Sequence, residues 1–221
     1  MINMLFSQYN FHESWAKDTV AKYINTNDKI LIIPFSFDNK ISDCQDWENA
    51  YSRDKGKFYK SIFTPFMDFG VREENINWIN YFKDTKEEAK GKIRNSNIIF
   101  FTGGFPEKSM ERLKEFDLIE EIRNFSGVII GSSAGAMIQI AEYHITPDED
   151  YQIFSYNEGL NLIKSFDIEV HYEGNEVQKC YINKVLNEKT DTVYAITDTG
   201  GIIVDLQKVV LLGDTRKFSR Q

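Results

Sequence analysis

Short apolar runs alternate along this chain with longer segments in which apolar residues recur at helical spacing. Lys29-Ile30-Leu31-Ile32-Ile33, stopped by Pro34, is almost continuously apolar, as are Asn97-Ile98-Ile99-Phe100-Phe101 and Gly127-Val128-Ile129-Ile130. Such runs, without polar alternation, predict strands buried on both faces, as in a parallel sheet covered by helices. Ile76 to Ile79 is a weaker strand, Thr192 to Ile196 a further one, and Phe166 to Val170 a strand that ends at His171. Ile202 to Val204 and Val209 to Leu212 predict a terminal pair. Between the runs the pattern predicts helices over 13–23, 46–63, 85–94, 108–116, 118–125 and 176–186, the last with Val177, Tyr181 and Val185 on one face. Strand–helix alternation predicts a three-layer α/β fold with a mainly parallel sheet, and the strand-rich last third predicts extra C-terminal strands. No linker, repeat or low-complexity stretch divides residues 1–221, so a single domain is expected.

The glycines point to the chemistry. Gly103/Gly104, Gly131/Gly135 and Gly200/Gly201 each lie at or just past a predicted strand end. Ligands of open α/β sheets bind at the carboxyl ends of strands, and glycine serves where the backbone needs positive φ or a close approach. Gly131-Ser132-Ser133-Ala134-Gly135-Ala136 follows a strong strand and precedes a helical run over 134–141. G-x-S-x-G at a strand-to-helix turn is a nucleophile elbow: the turn strains the serine, small neighbours make room, and the hydroxyl stands clear of the sheet at the positive end of the helix. Ser133, centred between the glycines, is the nucleophile, and the Ala134 N–H faces the developing oxyanion. The bland alternative is a helix N-cap made by Ser132 or Ser133.

A serine needs a base, and the chain has three histidines. His12 lies at the start of a predicted helix. His144 lies 11 residues beyond Ser133, about 16 Å down a regular helix and at its wrong end. His171, at a strand end, can reach the edge where Ser133 sits. Asp198, at a strand end before Gly200-Gly201, is the expected orienter of His171, with Glu173 and Glu176 as rivals and a turn-forming Asx role as the alternative. The order Ser, His, Asp differs from the Ser, Asp/Glu, His order of α/β-hydrolases.

These residues resemble the peptidase E family, the aspartyl dipeptidase and cyanophycinase group of serine peptidases. The resemblance covers nearly the whole chain. It rests on Ile98 to Phe105 continuing to Leu113, on the G-x-S-A-G-A element at Gly131 to Ala136, on His171, and on Asp198 before Gly200. It implies a class I glutamine amidotransferase-like (flavodoxin-like) fold, and a second oxyanion N–H from Gly103 or Gly104. It also implies a small peptide substrate, hydrolysed in dipeptidase fashion. The arginines that typically follow the histidine in aspartyl dipeptidases are missing from Tyr172 to Leu186, which has only Lys179 and Lys184. A lysine cannot grip a carboxylate bidentately, so a preference for N-terminal aspartate is not implied. An inactive or ligand-binding homologue, and an esterase or thioesterase using the same serine, are the alternatives.

Composition narrows the partners. With 26 Lys+Arg against 34 Asp+Glu, the net charge of −8 disfavours nucleic acid and anionic membranes. The basic and aromatic stretch Tyr51 to Lys60 reads as a solvated helix face. Two cysteines make neither a disulfide framework nor a four-thiolate zinc site; Cys180 is expected to be buried, and Cys44 has no basic neighbour. No cofactor motif and no metal-ligand spacing occurs. Met1 to Phe6 has no basic n-region, and no apolar run approaches a membrane span, so the expectation is a cytoplasmic protein, a monomer or homodimer.

Overall fold

The apolar runs become strands because each can bury both faces. The computed structural model describes residues 1–206 and 208–220. The first half forms β1 (Ile2–Phe6), α1 (Lys17–Val20), β2 (Ile30–Ile33), α2 (Cys44–Tyr51), α3 (Tyr59–Asp68), β3 (Ile76–Trp78), α4 (Lys86–Arg94) and β4 (Ile98–Phe101). The second forms α5 (Pro106–Glu115), α6 (Ile119–Arg123), β5 (Val128–Ser132), α7 (Ala134–Met137), β6 (Glu142–Ile145), β7 (Ser155–Glu158), β8 (Asp167–Glu169), α8 (Glu176–Glu188), β9 (Thr192–Asp205) and β10 (Lys208–Ser219). One sheet runs β10-β9-β1-β5-β4-β2-β3, with β8 also paired to β9; β6 and β7 make a separate hairpin. Pairing is parallel except for β1 with β9 and β9 with β10 in the large sheet, which makes a mixed, mostly parallel α/β fold.

Successive residues of a strand point to opposite faces, and the core divides accordingly. Leu5, Leu31, Ile99 and Ile129 join one buried cluster, while Met4, Ile30, Phe100 and Ile130 join another. A third cluster, Tyr172, Ile182, Val185, Leu186, Val193 and Ala195, seats α8 on the sheet near β8. No helix among the described residues is long and apolar enough to cross a membrane.

Several sequence expectations change. β1 sits centrally, between β5 and β9. Its apolar pattern is broken by Asn3, whose buried side chain donates to Gln139 Oε1 at 3.0 Å, so the polar group is satisfied inside the sheet. The helix expected over 46–63 is two, because the chain turns back on α2 at Gly56, whose N–H donates to Ser52 O at 2.8 Å. The helix expected over 13–23 keeps only α1, and that expected over 134–141 keeps only α7. The strands at 192–196 and 202–204 join as β9, whose register with β10 shifts between Gly213 and Thr215. On α8 the buried positions are Gln178, Ile182, Val185 and Leu186, rotated by about one residue from the expected face. That rotation leaves Val177 and Cys180 exposed, contrary to the burial expected of Cys180. The stretch 51–60 is the turn between α2 and α3, with Tyr51 buried.

Candidate active site

β1, β4 and β5 are parallel, so their carboxyl ends share one edge of the sheet. There Ser133 takes φ 52° and ψ −118°, a region that non-glycine residues avoid. Its N–H donates to Phe6 O at 2.8 Å, and its carbonyl accepts from Ala136 N at 2.8 Å and Met137 N at 3.0 Å. Ser132 turns the other way and donates to Gln8 O at 3.0 Å. A Cβ on Gly131 would overlap Gly135 O, and a Cβ on Gly135 would overlap Phe101 O, so the tight turn requires both glycines. The Ala134 N–H has no hydrogen-bond partner among the described residues. α7 has only four residues, so its dipole is a smaller aid than a regular helix over 134–141 gives.

The two glycines after β4 separate in role. Gly103 N–H donates to the Tyr9 hydroxyl at 2.7 Å and is already engaged. Burial pushes the Tyr9 hydroxyl up to about 12, outweighing the Gly103 bond, so it stays neutral at physiological pH. Gly104 has φ 134° and packs against Ser36, where a Cβ would overlap Ser36 O. The next N–H, of Phe105, donates to that same carbonyl at 2.8 Å. The Gly104 N–H carries no hydrogen bond among the described residues.

His171 reaches this edge from the opposite direction. β9 is antiparallel to β1 and parallel to β8, so β1 and β8 lie end to end along β9, their carboxyl ends facing across residues 196–200. Ser7 ties the junction: its hydroxyl donates to Ile196 O at 2.8 Å and accepts from His171 N at 3.0 Å. His171 itself has φ 51°, and Gln178 Nε2 donates to its carbonyl at 3.0 Å. Its Nδ1 lies 2.7 Å from Asp198 Oδ1, while Nε2 has no partner among the described residues. Asp198 lies inside β9 rather than in a turn, in the stretch of irregular register, and Asn10 Nδ2 donates to its carbonyl at 2.9 Å. Of the rivals, Glu176 pairs with Lys179 at 2.8 Å, and Glu173 lines the cavity without bonding His171. Ser133 and His171 line one cavity of about 720 Å³ with Gly104. No hydrogen bond joins Ser133 Oγ to His171 among the described residues.

The model of peptidase family S51 matches residues 49–212. The chain belongs to peptidase family S51. Among solved structures, this S51 chain is similar to a provisionally assigned peptidase E of Listeria monocytogenes EGD-e, with a TM-score of 0.64 and 20% identity, over 99% of this chain and 98% of that one. It is also similar to a peptidase from an acI-B1 Actinobacterium, with a TM-score of 0.65 and 15% identity, over 99% and 93%. At such identities the likeness establishes the fold. The cobyrinate a,c-diamide synthase of Methanococcus vannielii is 30% identical over 139 residues, 57% of this chain, and the match spans only 29% of that longer protein.

In this S51 chain His144 does not lie far from Ser133, as a long helix would have required. Because α7 ends at Met137, the chain turns back and β6 brings His144 to the wall of the same cavity. Both ring nitrogens are occupied, Nδ1 2.8 Å from Asp167 Oδ2 and Nε2 2.8 Å from Glu169 Oε2. Two carboxylate acceptors require both nitrogens to carry hydrogen. Burial opposes that charge, but the two carboxylates prevail and push His144 up to about 9. Asp167 is held below the usual carboxylate range: burial opposes this, and His144 and Lys189 overcome it. Thr146 donates to Glu169 Oε2 at 2.7 Å. His12 lies elsewhere, 3.8 Å from Asp68. Sequence reasoning missed Ser7, Tyr9, Asn10 and Gln178, single polar residues whose partners are distant in the chain.

Proposed function

We propose that this chain is a serine peptidase acting on small peptides, with Ser133 as nucleophile, His171 as base and Asp198 as its orienter. The carrying observation is that a strained Ser133 and an Asp198-bound His171 share one cavity. Ser133 Oγ attacks the scissile carbonyl carbon while His171 Nε2 takes its proton. The imidazolium returns that proton to the leaving amine, giving an acyl-enzyme and the released amine. Water then attacks the ester with His171 again as base, freeing the acid and Ser133. Asp198 on Nδ1 fixes the tautomer that leaves Nε2 able to accept. The unengaged N–H groups of Ala134 and Gly104 receive the oxyanion; Gly103, held by Tyr9, supports the loop instead.

Hydrolysis of a dipeptide panel by the wild type and by Ser133→Ala tests this reading. Turnover that disappears in the variant is expected, and equal rates overturn it. The missing Ser133–His171 bond favours a second reading, a binding protein without turnover, although catalytic hydrogen bonds are often long before substrate binds. A fluorophosphonate separates the two: stoichiometric labelling at Ser133 supports the enzyme, and unlabelled folded protein supports the binder.

A further inference from the structure

The cavity beside Ser133 has a charge pattern of its own. Asp148, Glu149, Asp150, Glu169 and Glu173 line it, and no lysine or arginine does. Elsewhere on the surface some carboxylates are matched, as in Lys114–Glu158 and Arg94–Glu121. Among the described residues none of these five has a lysine or arginine within ion-pair distance, and Glu169 alone has a charged partner, His144. A cleft with an excess of one sign of charge, here five carboxylates against the His144 imidazolium, focuses its field and concentrates ligands of the opposite sign.

Glu169 supplies the fixed point. It is only 6% exposed, yet it lies on the cavity wall two residues before His171. Its Oε2 is held by His144 Nε2 and Thr146 Oγ1, at 2.8 and 2.7 Å. Its Oε1 has no hydrogen-bond partner among the described residues. That oxygen is not sealed in the core but opens to the cavity, where a ligand N–H can make a charge-assisted bond to it. His144 and Lys189 stand against Asp167 and Glu169 in one buried cluster of two cations and two carboxylates. The four exposed carboxylates around it then favour a cation and repel an anion.

Resting on the serine-peptidase reading for its catalytic outcome, we propose that this cavity binds the positively charged group of a peptide, with Glu169 as the specificity-determining acceptor. Asp148 already accepts from the Asp150 and Tyr151 N–H groups, and an ammonium or guanidinium provides the several N–H donors that Glu169 Oε1, Glu149, Asp150 and Glu173 lack among the described residues. That selectivity is the reverse of one for acidic peptides, and it agrees with the missing arginines after His171.

Binding tests the idea independently of turnover. Calorimetry of the full chain carrying Ser133→Ala compares Lys-Ala, Arg-Ala, norleucyl-Ala and Glu-Ala, each free and N-acetylated. A cation bonded to Glu169 gives a preference of about tenfold or more for peptides carrying one over N-acetyl-norleucyl-Ala and N-acetyl-Glu-Ala. Preference kept by N-acetyl-Lys-Ala assigns the side chain as the cation. Preference lost on acetylation, whatever the side chain, assigns the α-ammonium. The preference should shrink in 0.5 M salt and collapse when Glu169→Gln is added. Should Glu169→Gln fail to fold, Asp150→Asn with Glu173→Gln, both exposed, should still lower it several-fold. Equal binding of Lys-Ala, Glu-Ala and N-acetyl-norleucyl-Ala, or no binding of any, overturns the inference. Cationic preference in a wild type that neither cleaves peptides nor labels at Ser133 keeps it and overturns only the peptidase reading.

Discussion

Raising the pH from 6.5 to 9 should weaken this protein through one buried residue. His144 sits between Asp167 and Glu169, and the native state keeps its second ring proton up to about pH 9, against an ordinary value of 6.5. The unfolded chain releases that proton near the ordinary value. The stabilisation is therefore full below pH 6.5 and is lost progressively as pH rises to about 9. The shift corresponds to about 3 kcal/mol in all, with a slope of at most about 1.4 kcal/mol per pH unit. A stability of about 5–15 kcal/mol is normal for a folded domain, so the loss is a sizeable fraction of the whole. Urea unfolding at half-unit steps from pH 6 to 9.5 measures it. His144→Gln should be less stable by about 3–5 kcal/mol at pH 6.5, because it leaves buried Glu169 without its charged partner and Asp167 with Lys189 alone, and should lack most of the slope. Nuclear magnetic resonance of the imidazole C–H protons reads the same proton directly. A ring that titrates near 6.5, or wild-type and variant curves that stay parallel through the window, would refute the reasoning.

Other expectations are local. Gly135→Ala drives a Cβ into Phe101 O, so it should cost about 3 kcal/mol or more and lower Tm by about 10 °C in a thermal melt. Ser7→Ala leaves the Ile196 carbonyl and the His171 N–H without that hydroxyl; stability should fall by about 1–3 kcal/mol and kcat more than KM, whereas Ser7→Thr should restore part of both. Asp198→Asn should lower kcat about 100-fold on a cleaved dipeptide. The fall should be smaller than for a sequestered triad, because the Asp198 side chain is 60% exposed. Gly104→Ala, strained at φ 134° and crowded by Ser36, should lower kcat while fluorophosphonate labelling of Ser133 persists at a reduced rate.

Much of the fold was legible because buried parallel strands write themselves as unbroken apolar runs. Ile30–Ile33, Ile98–Phe101 and Val128–Ile130 needed no context to be read as strands. β1 escaped because Asn3 interrupts it, and only Gln139, far along the chain, makes that polar residue acceptable. The Gly131 to Gly135 spacing announced a tight turn, since no side chain fits where the two backbones touch. Long helices were over-read at 46–63 and 134–141, because helical spacing does not say where the chain must turn back to pack.

The sequence by itself determined most strands of the sheet and the tight turn at Ser133, because burial on two faces and steric room are properties of neighbouring residues. It also limited any histidine chemistry to three residues. Only the tertiary structure decided how those pieces meet. It set β1 and β8 end to end on β9, joined His171 to Asp198 through the irregular middle of β9, and engaged Gly103 with Tyr9 while leaving Gly104 free. It also returned His144 to the cavity wall, locked between two carboxylates. Each of these depends on hydrogen bonds between residues far apart in the chain, whose geometry is fixed only once the core has packed.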